Sequence, residues 1–272
     1  MQSENKYICA IDLGSTGVRA VLFDKNGNSI KSEYVKITPI IPNEGWIEHD
    51  PMELWNSTKN VVQNLINNVN ITPNQIAAIG ITNQRSSFTL WERASGTPII
   101  NFINWADIRA VKTAENVNKM FAIKLFRGIS KILYIFTKSQ SSLQSSIVKF
   151  TTDHASIRLK HLFDENIELR KRAQNGELAF GTIDSWLIYK LTGNKVHATD
   201  YSNASATGLF DSFNMKWHNS IMNLFKIPSN ILPELKDTSG FFGNTDPSIF
   251  GAEIPITACA GDQMAALFGQ CC

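Results

Sequence analysis

Asp12-Leu13-Gly14-Ser15-Thr16-Gly17-Val18-Arg19 stands between the apolar runs Tyr7-Ile8-Cys9-Ala10-Ile11 and Ala20-Val21-Leu22-Phe23. Few local structures satisfy that pattern. An acidic residue ends one buried strand, a glycine-containing turn follows, and a second strand pairs back on the first. The turn, at Gly14 and its neighbours, aims backbone N–H groups, the Ser15 and Thr16 hydroxyls and the Arg19 guanidinium at one point. That point suits phosphate, and Asp12 can hold a magnesium ion through water. No Lys follows the glycines and no helix begins there, so this is not a Walker loop. The same Asp-x-Gly pattern also serves as a plain tight turn.

The rest of the chain gives this hairpin a mixed α/β context. Strands are expected at residues 7–12, 18–23 and about 29–37, as a three-stranded meander. A helix starts at Asp50, with Pro51 in the first helical position and Glu53 where a capping box wants it. Thr72-Pro73 leads into a strand at 76–82, and another strand is expected at 87–91 after the polar turn Asn83-Gln84-Arg85. Helices are expected near 107–118, 155–165, 167–174, 183–191 and 218–224. A strand at 254–260 then runs into Gly261-Asp262-Gln263 and a helical pattern at 264–270. The Ser/Gln-rich stretch 139–146 reads as a flexible insertion. Three antiparallel strands, a helix, a strand, a helix and further strands are the order of a ribonuclease-H-like domain.

With 272 residues, 43% of them hydrophobic and 18% charged, the chain can bury a large core as one large domain or two ordinary ones. A net charge of +2 gives no reason to expect nucleic acid or a membrane as partner. Residues 1–6 show no apolar signal region and no apolar stretch reaches membrane-spanning length, so a cytoplasmic location is expected. Cys9 and Cys259 fall in buried-strand patterns and read as core residues. Adjacent Cys271-Cys272 lack His or Cys partners at ligand spacing.

Several motifs together carry a family resemblance. Asp-Leu-Gly-Ser-Thr-Gly-Val-Arg (12–19), Gly-Trp-Ile-Glu-His-Asp-Pro (45–51), Ile-Thr-Asn-Gln-Arg (81–85) and Asn-Trp-Ala-Asp-Ile-Arg (104–109) resemble the FGGY carbohydrate kinases. So do residues 180–192, Thr-Asp-Tyr-Ser-Asn-Ala-Ser (199–205) and Ala-Gly-Asp-Gln-Met-Ala-Ala-Leu-Phe-Gly (260–269). Within the family the glycerol kinases are nearest, and 132–138, 150–162 and the final Phe-Gly-Gln-Cys-Cys are similar to its divergent animal branch, glycerol kinase five. The resemblance implies phosphoryl transfer from ATP, with Mg2+, to a hydroxyl of glycerol, another polyol or a sugar. By the same resemblance Asp262 is the general base, orienting the hydroxyl until its proton becomes acidic in the transition state. Gln263 and Arg85 hold substrate hydroxyls, Trp105 packs on the carbon face, and Asp12, Gly14, Ser15, Thr16 and Arg19 form the phosphate loop. Read from the residues alone, Asp262 is an ordinary helix cap, and the plain alternatives for Arg85 and Trp105 are a surface residue on a turn and a core residue. Asp107 and Arg109 read as a cap and an ion pair.

Two departures bear on the substrate. Glycerol kinases follow the Arg of Asn-Gln-Arg with a Glu that accepts from glycerol hydroxyls, and here that position is Ser86. The family also supplies a substrate-binding Tyr shortly before the helix beginning near Ala155; this segment reads Phe150-Thr151-Thr152-Asp153-His154, where His154 is the stand-in. In the family, ATP is held mainly by a second domain after Gly-Asp-Gln. Residues 1–272 are therefore expected to form the substrate-binding domain alone, with an insertion at about 138–150 and weak or absent turnover. The uncovered helix at 264–270 then favours association, so a homo-oligomer is left open. A non-catalytic short isoform that binds a polyol or a partner protein is the competing expectation.

Overall fold

A computed structural model describes residues 6–271; Met1–Asn5 and Cys272, both read from sequence above, lie outside them. In chain order the first third holds strands β1 (Tyr7–Leu13), β2 (Gly17–Asp24), β3 (Ser29–Lys36) and β4 (Glu48–His49), helix α1 (Pro51–Val69), and strands β5 (Ile76–Asn83) and β6 (Phe88–Glu92). Next come β7 (Phe102–Ile103), α2 (Val111–Lys119), α3 (Phe121–Thr137), α4 (Gln140–Ile147), α5 (Ala155–Glu165), α6 (Ile167–Gln174), β8 (Leu178–Thr182) and α7 (Ile183–Leu191). The last third contributes β9 (Ala198–Asp200), α8 (Tyr201–Ser205), β10 (Phe210–Asp211), β11 (Lys216–Trp217), α9 (Asn219–Phe225), β12 (Glu234–Lys236), α10 (Pro247–Phe250), β13 (Ile256–Gly261) and α11 (Asp262–Gly269).

The main sheet has the order β13-β5-β1-β2-β3. β1, β2 and β3 form the antiparallel meander, while β5 and β13 run parallel to β1. Cys9, Ile11 and Leu13 of β1 alternate with Val18, Ala20 and Leu22 of β2 onto one buried face. α1 covers that face with Leu54, Val61, Val62, Leu65 and Ile66. It begins where expected, because the Asp50 carboxylate accepts from the Met52 N–H at 2.7 Å and Pro51 has no N–H to satisfy. The opposite face of the sheet carries Asp12 and Arg19, cross-strand neighbours in the register.

A second sheet, β4-β7-β6-β8, is buried on both sides. Trp91 and Ala179 point into the first core; Phe88, Leu90, Leu178 and Phe180 point into a second core built with α2, α5, α6 and α9. The segment between β5 and β6 links the two sheets, and it carries Gln84, Arg85, Ser86 and Ser87.

Some local expectations change. The helix expected from 107 begins at Val111, because Asp107 spends its carboxylate on the Ile47 N–H and on Arg109. The Ser/Gln-rich stretch is helical as α4 and forms a hairpin with α3, an unforeseen helix. The strand expected from 254 begins at Ile256, and the final helix begins two residues earlier than expected, at Asp262.

Candidate active site

Parallel strands deliver their carboxyl ends to one edge of a sheet, which is where α/β proteins place ligands. Here β1, β5 and β13 end together. Asp12 and Ala260 both pair with Thr82 in the register, so Asp12 and Asp262 flank the end of β5. Burial pushes the Asp12 carboxyl up, Arg19 pulls it down and Asp262 adds to the upward push. The two carboxylates therefore feel each other across the strand.

The β1–β2 turn is closed by the Gly14 N–H donating to the Gly17 carbonyl at 3.0 Å. A Cβ at Gly17 would overlap the Tyr34 ring as it lies here, so a larger residue would turn that half-exposed ring away from the Thr16 carbonyl. The Thr16 carbonyl accepts from the Tyr34 hydroxyl and the Ile37 N–H, both at 3.1 Å, and the Ser15 carbonyl accepts from His49 Nε2 at 3.2 Å. The Ser15 hydroxyl is engaged on both sides: it donates to Gln84 Oε1 at 3.1 Å and accepts from Trp105 Nε1 at 3.3 Å. Gln84 is a buried hub that also accepts from the Ser87 hydroxyl and Asn104 Nδ2, and donates to the Gly14 carbonyl. One amide thus ties the expected phosphate loop to the segment bearing Trp105.

Arg85, Ser86, Trp105, Asp153, Ala206, Asp262 and Gln263 line a cleft of about 240 Å³ beside this loop. Arg85 donates to Gln263 Oε1 and lies over Gly261, where a Cβ would overlap its side chain. Trp105 is 46% exposed, its backbone held by the Ser87 hydroxyl at 3.0 Å. Asp262 opens α11, and its Oδ1 accepts from the Gln263 N–H at 2.8 Å.

Ser86 is placed differently from a ligand. It sits at φ 68° in the left-handed region, buried, and its hydroxyl donates to the Asp153 carbonyl while accepting from Arg158 at 2.9 Å. Its hydrogen-bonding capacity is spent on the protein. His154 is not brought into the cleft. As the residue capping α5 it turns its ring toward Thr151 and Phe150 and lines a separate cavity of about 360 Å³; its neighbour Asp153 stands at the cleft instead.

Sequence reasoning missed the polar layer beneath. Arg158 is fully buried and donates to the carbonyls of Ile103, Asn104, Ser86 and Asp153, so it pins three loops of the cleft. Burial pulls its guanidinium down to about 9, against the opposing charges of Asp107 and Asp153. Asp107 and Arg109 form the ion pair read for them, but Asp107 caps no helix: Arg109 pairs with Asp107 and Glu48, each at 2.7 Å, and stacks on Trp46, while α2 is capped at Ala110. Asp184, Asp200 and Cys259 bring ligand atoms within 4.8 Å of one another. These carboxylates are already saturated, by Thr182 and Thr199 on Asp184 and by Ser202, Asn203 and Thr238 on Asp200. Burial pushes Asp184 up to about 7, so the trio is a hydrogen-bonded layer of the core. Cys9 and Cys259 are buried, with thiols raised by burial, as core residues should be.

Residues 7–269 match the N-terminal domain of the FGGY family of carbohydrate kinases. The chain belongs to that family. It is 41% identical to glycerol kinase 5 of Danio rerio over 98% of this chain and 50% of that protein. Against the glycerol kinase of Borreliella afzelii the identity is 43%, over 98% and 50%. Plasmodium falciparum glycerol kinase, solved with ADP, superposes with a TM-score of 0.84 at 28% identity, covering 97% of this chain and 50% of that one. A Lactobacillus acidophilus xylulose kinase shares the fold, with a TM-score of 0.79 at 21% identity. The chain spans about half the length of the curated relatives it matches. Its α/β architecture, a mixed sheet with flanking helices, is that of the family's N-terminal domain.

Proposed function

We propose that this chain supplies the substrate-binding half of an ATP-dependent kinase that phosphorylates a hydroxyl of a polyol or sugar. The observation that carries the reading is the convergence of Asp262, Gln263, Arg85 and Trp105 on one cleft, next to the Asp12–Arg19 hairpin. Arg85 and Gln263 donate to and accept from substrate hydroxyls, and the exposed Trp105 ring covers the carbon face. Asp262 accepts a hydrogen bond from the attacking hydroxyl and takes its proton as the phosphorus–oxygen bond forms. Arg19 suits the transferred phosphate, since its planar fork binds two oxygens at once. With the Ser15 hydroxyl and the Gly14 N–H both engaged, the hairpin's contribution to phosphate falls to Thr16 and Arg19.

The residues at this edge fit a magnesium ion. Thr82 Oγ1 is buried without a partner, in register with Asp12, and Asp12 and Asp262 form an acidic pair. Asp12, through water, would hold the ion, which when bound offsets charge on the phosphates. A cytoplasmic location goes with this reading, and no helix among the described residues is long and apolar enough to cross a membrane.

Glycerol itself is disfavoured by Ser86. A buried hydroxyl already shared between Asp153 and Arg158 does not replace a charged acceptor, and such a loss costs about 1–3 kcal/mol of binding. A second reading is a module that binds a polyol or a partner protein without turnover. The discriminating experiment is phosphate transfer from labelled ATP to a panel of polyols and sugars, with calorimetric binding of the same panel. Transfer that disappears in Asp262→Asn supports the kinase reading. Since the substrate-binding half alone is expected to turn over weakly or not at all, binding without transfer selects the module only where it persists with an ATP-binding half supplied. Transfer that survives Asp262→Asn sinks the general-base role.

A further inference from the structure

Between Glu115 and Asp153 the chain has six basic residues (Lys119, Lys124, Arg127, Lys131, Lys138 and Lys149) and no acidic one. Across the whole chain 26 basic residues face 24 acidic ones, so everything outside this segment carries an acidic excess. The near-neutral total hides a segregated charge. Helix α3 crosses the middle of the segment, and its inward face is Ile123, Phe126, Arg127, Ser130 and Tyr134.

The outward face of α3 is apolar. Phe121, Leu125, Ile129, Ile132 and Phe136 recur at steps of three and four residues and so lie on one stripe. Phe121 and Phe136, at its two ends, are 78% and 82% exposed. Lys124 and Lys131, seven residues apart, lie along one flank of the stripe, and Lys138, the left-handed residue that ends the helix, sets its ammonium over the Tyr134 ring. Among the described residues none of the three has a carboxylate partner. A helix of 17 residues makes the stripe about 25 Å long. Soluble surfaces rarely leave so continuous an apolar strip in water.

The charge decides what covers it. A second copy docked stripe to stripe in the antiparallel sense would set two lysine flanks on one side with no acidic residue in either segment to offset them. A lipid interface with anionic headgroups accepts both features: the apolar stripe enters the headgroup–acyl boundary and the lysines stay at the phosphates. We propose that α3 docks this protein in the plane of an anionic phospholipid bilayer, lying on the surface without crossing it. The inference stands independently of the kinase reading.

Vesicle co-sedimentation tests it. The chain is mixed with phosphatidylcholine vesicles or with vesicles that also contain phosphatidylserine, at low and high salt. Binding is expected only with phosphatidylserine, weaker at high salt. Ile132→Glu/Phe136→Glu removes the stripe and Lys124→Glu/Lys131→Glu reverses the flank; each should cut the bound fraction at least about tenfold, at roughly a factor of five per lysine. Because these side chains point to solvent, an unchanged thermal melt shows that each variant is folded. No sedimentation of the native chain at low salt overturns the proposal, as does equal sedimentation of the variants. A lipid-free dimer that Ile132→Glu/Phe136→Glu renders monomeric overturns it too, in favour of a second copy.

Discussion

Arg85 and Arg158 stand on either side of the same loop on opposite terms. Arg85 lines the cleft with one side-chain partner, Gln263, which is itself a cleft residue. Arg158 is sealed beneath; its two terminal nitrogens are satisfied by backbone carbonyls and the Ser86 hydroxyl, while its Nε is buried without a partner. One guanidinium is left to meet a ligand; the other is consumed in shaping the place where a ligand sits. The contrast separates residues that contact from residues that position, although both types are polar, charged and close to the cleft.

The strongest way to break that contrast is Arg158→Met. It removes one donor from each of four carbonyls, of which Asn104 keeps the Asp107 N–H and Asp153 the Ser86 hydroxyl, and should cost about 3–5 kcal/mol in urea unfolding. A loss near zero would mean that the loops hold without it. Arg85→Ala should leave the unfolding curve within about 0.5 kcal/mol of the native chain. It should weaken binding of whichever panel compound binds the native chain by about 1.5–3 kcal/mol, because a charge-assisted bond is lost. Calorimetric titration reads the difference.

A third test uses pH. Asp184 is raised from 3.8 to about 7 by burial, with the Asp200 charge adding to it. Its contribution to stability is full below 3.8 and is lost as pH rises through about 7. His197 is pulled from 6.5 to about 4 by burial, and its contribution is lost as pH falls below 6.5. From pH 6.5 upward, then, Asp184 acts alone of the two: the native melting temperature should fall toward about pH 8, and Asp184→Asn should flatten that slope. An unchanged slope would show that Asp184 is ionised in the core. The smallest effect is expected at Ser86. Ser86→Ala and Ser86→Gly both lose the hydroxyl's bonds, but Gly relieves the positive φ and should be more stable than Ala by about 1 kcal/mol in the same unfolding assay.

Much of this molecule was legible beforehand, and the parts that were not share causes. α1, α5, α6 and α7 have strong caps or continuous apolar periodicity, and α5, α6 and α7 match the expected bounds. Strands β4 and β7 are two residues long, too short for alternation to register, and exist because Asp107 and Arg109 clamp the neighbouring segment. The apolar residues of α3 recur at helical spacing in the sequence; what the sequence leaves open is that this stripe faces solvent. At the cleft, Asp262, Arg85, Trp105 and Gln263 do come together. His154 does not, since a helix-capping residue turns its side chain by local geometry that residue spacing leaves open. Gln84 and Arg158 carried no motif of their own; a buried amide and a buried guanidinium show their role only when the loops that they join are seen together.

The pairing of β13 with β5 has a consequence in time. Asp12 and Asp262, the carboxylates that flank the end of β5, are 250 positions apart in the chain, and Asp262 reaches its place only when β13 docks beside a strand made far earlier. Contacts between such distant segments carry a large loop-closure entropy and form slowly. During synthesis the meander, α1 and β5 can settle first, while the exposed edge of β5 waits for its last neighbour. That edge is the point at which a chaperone, or a mispaired strand, has the longest opportunity to intervene.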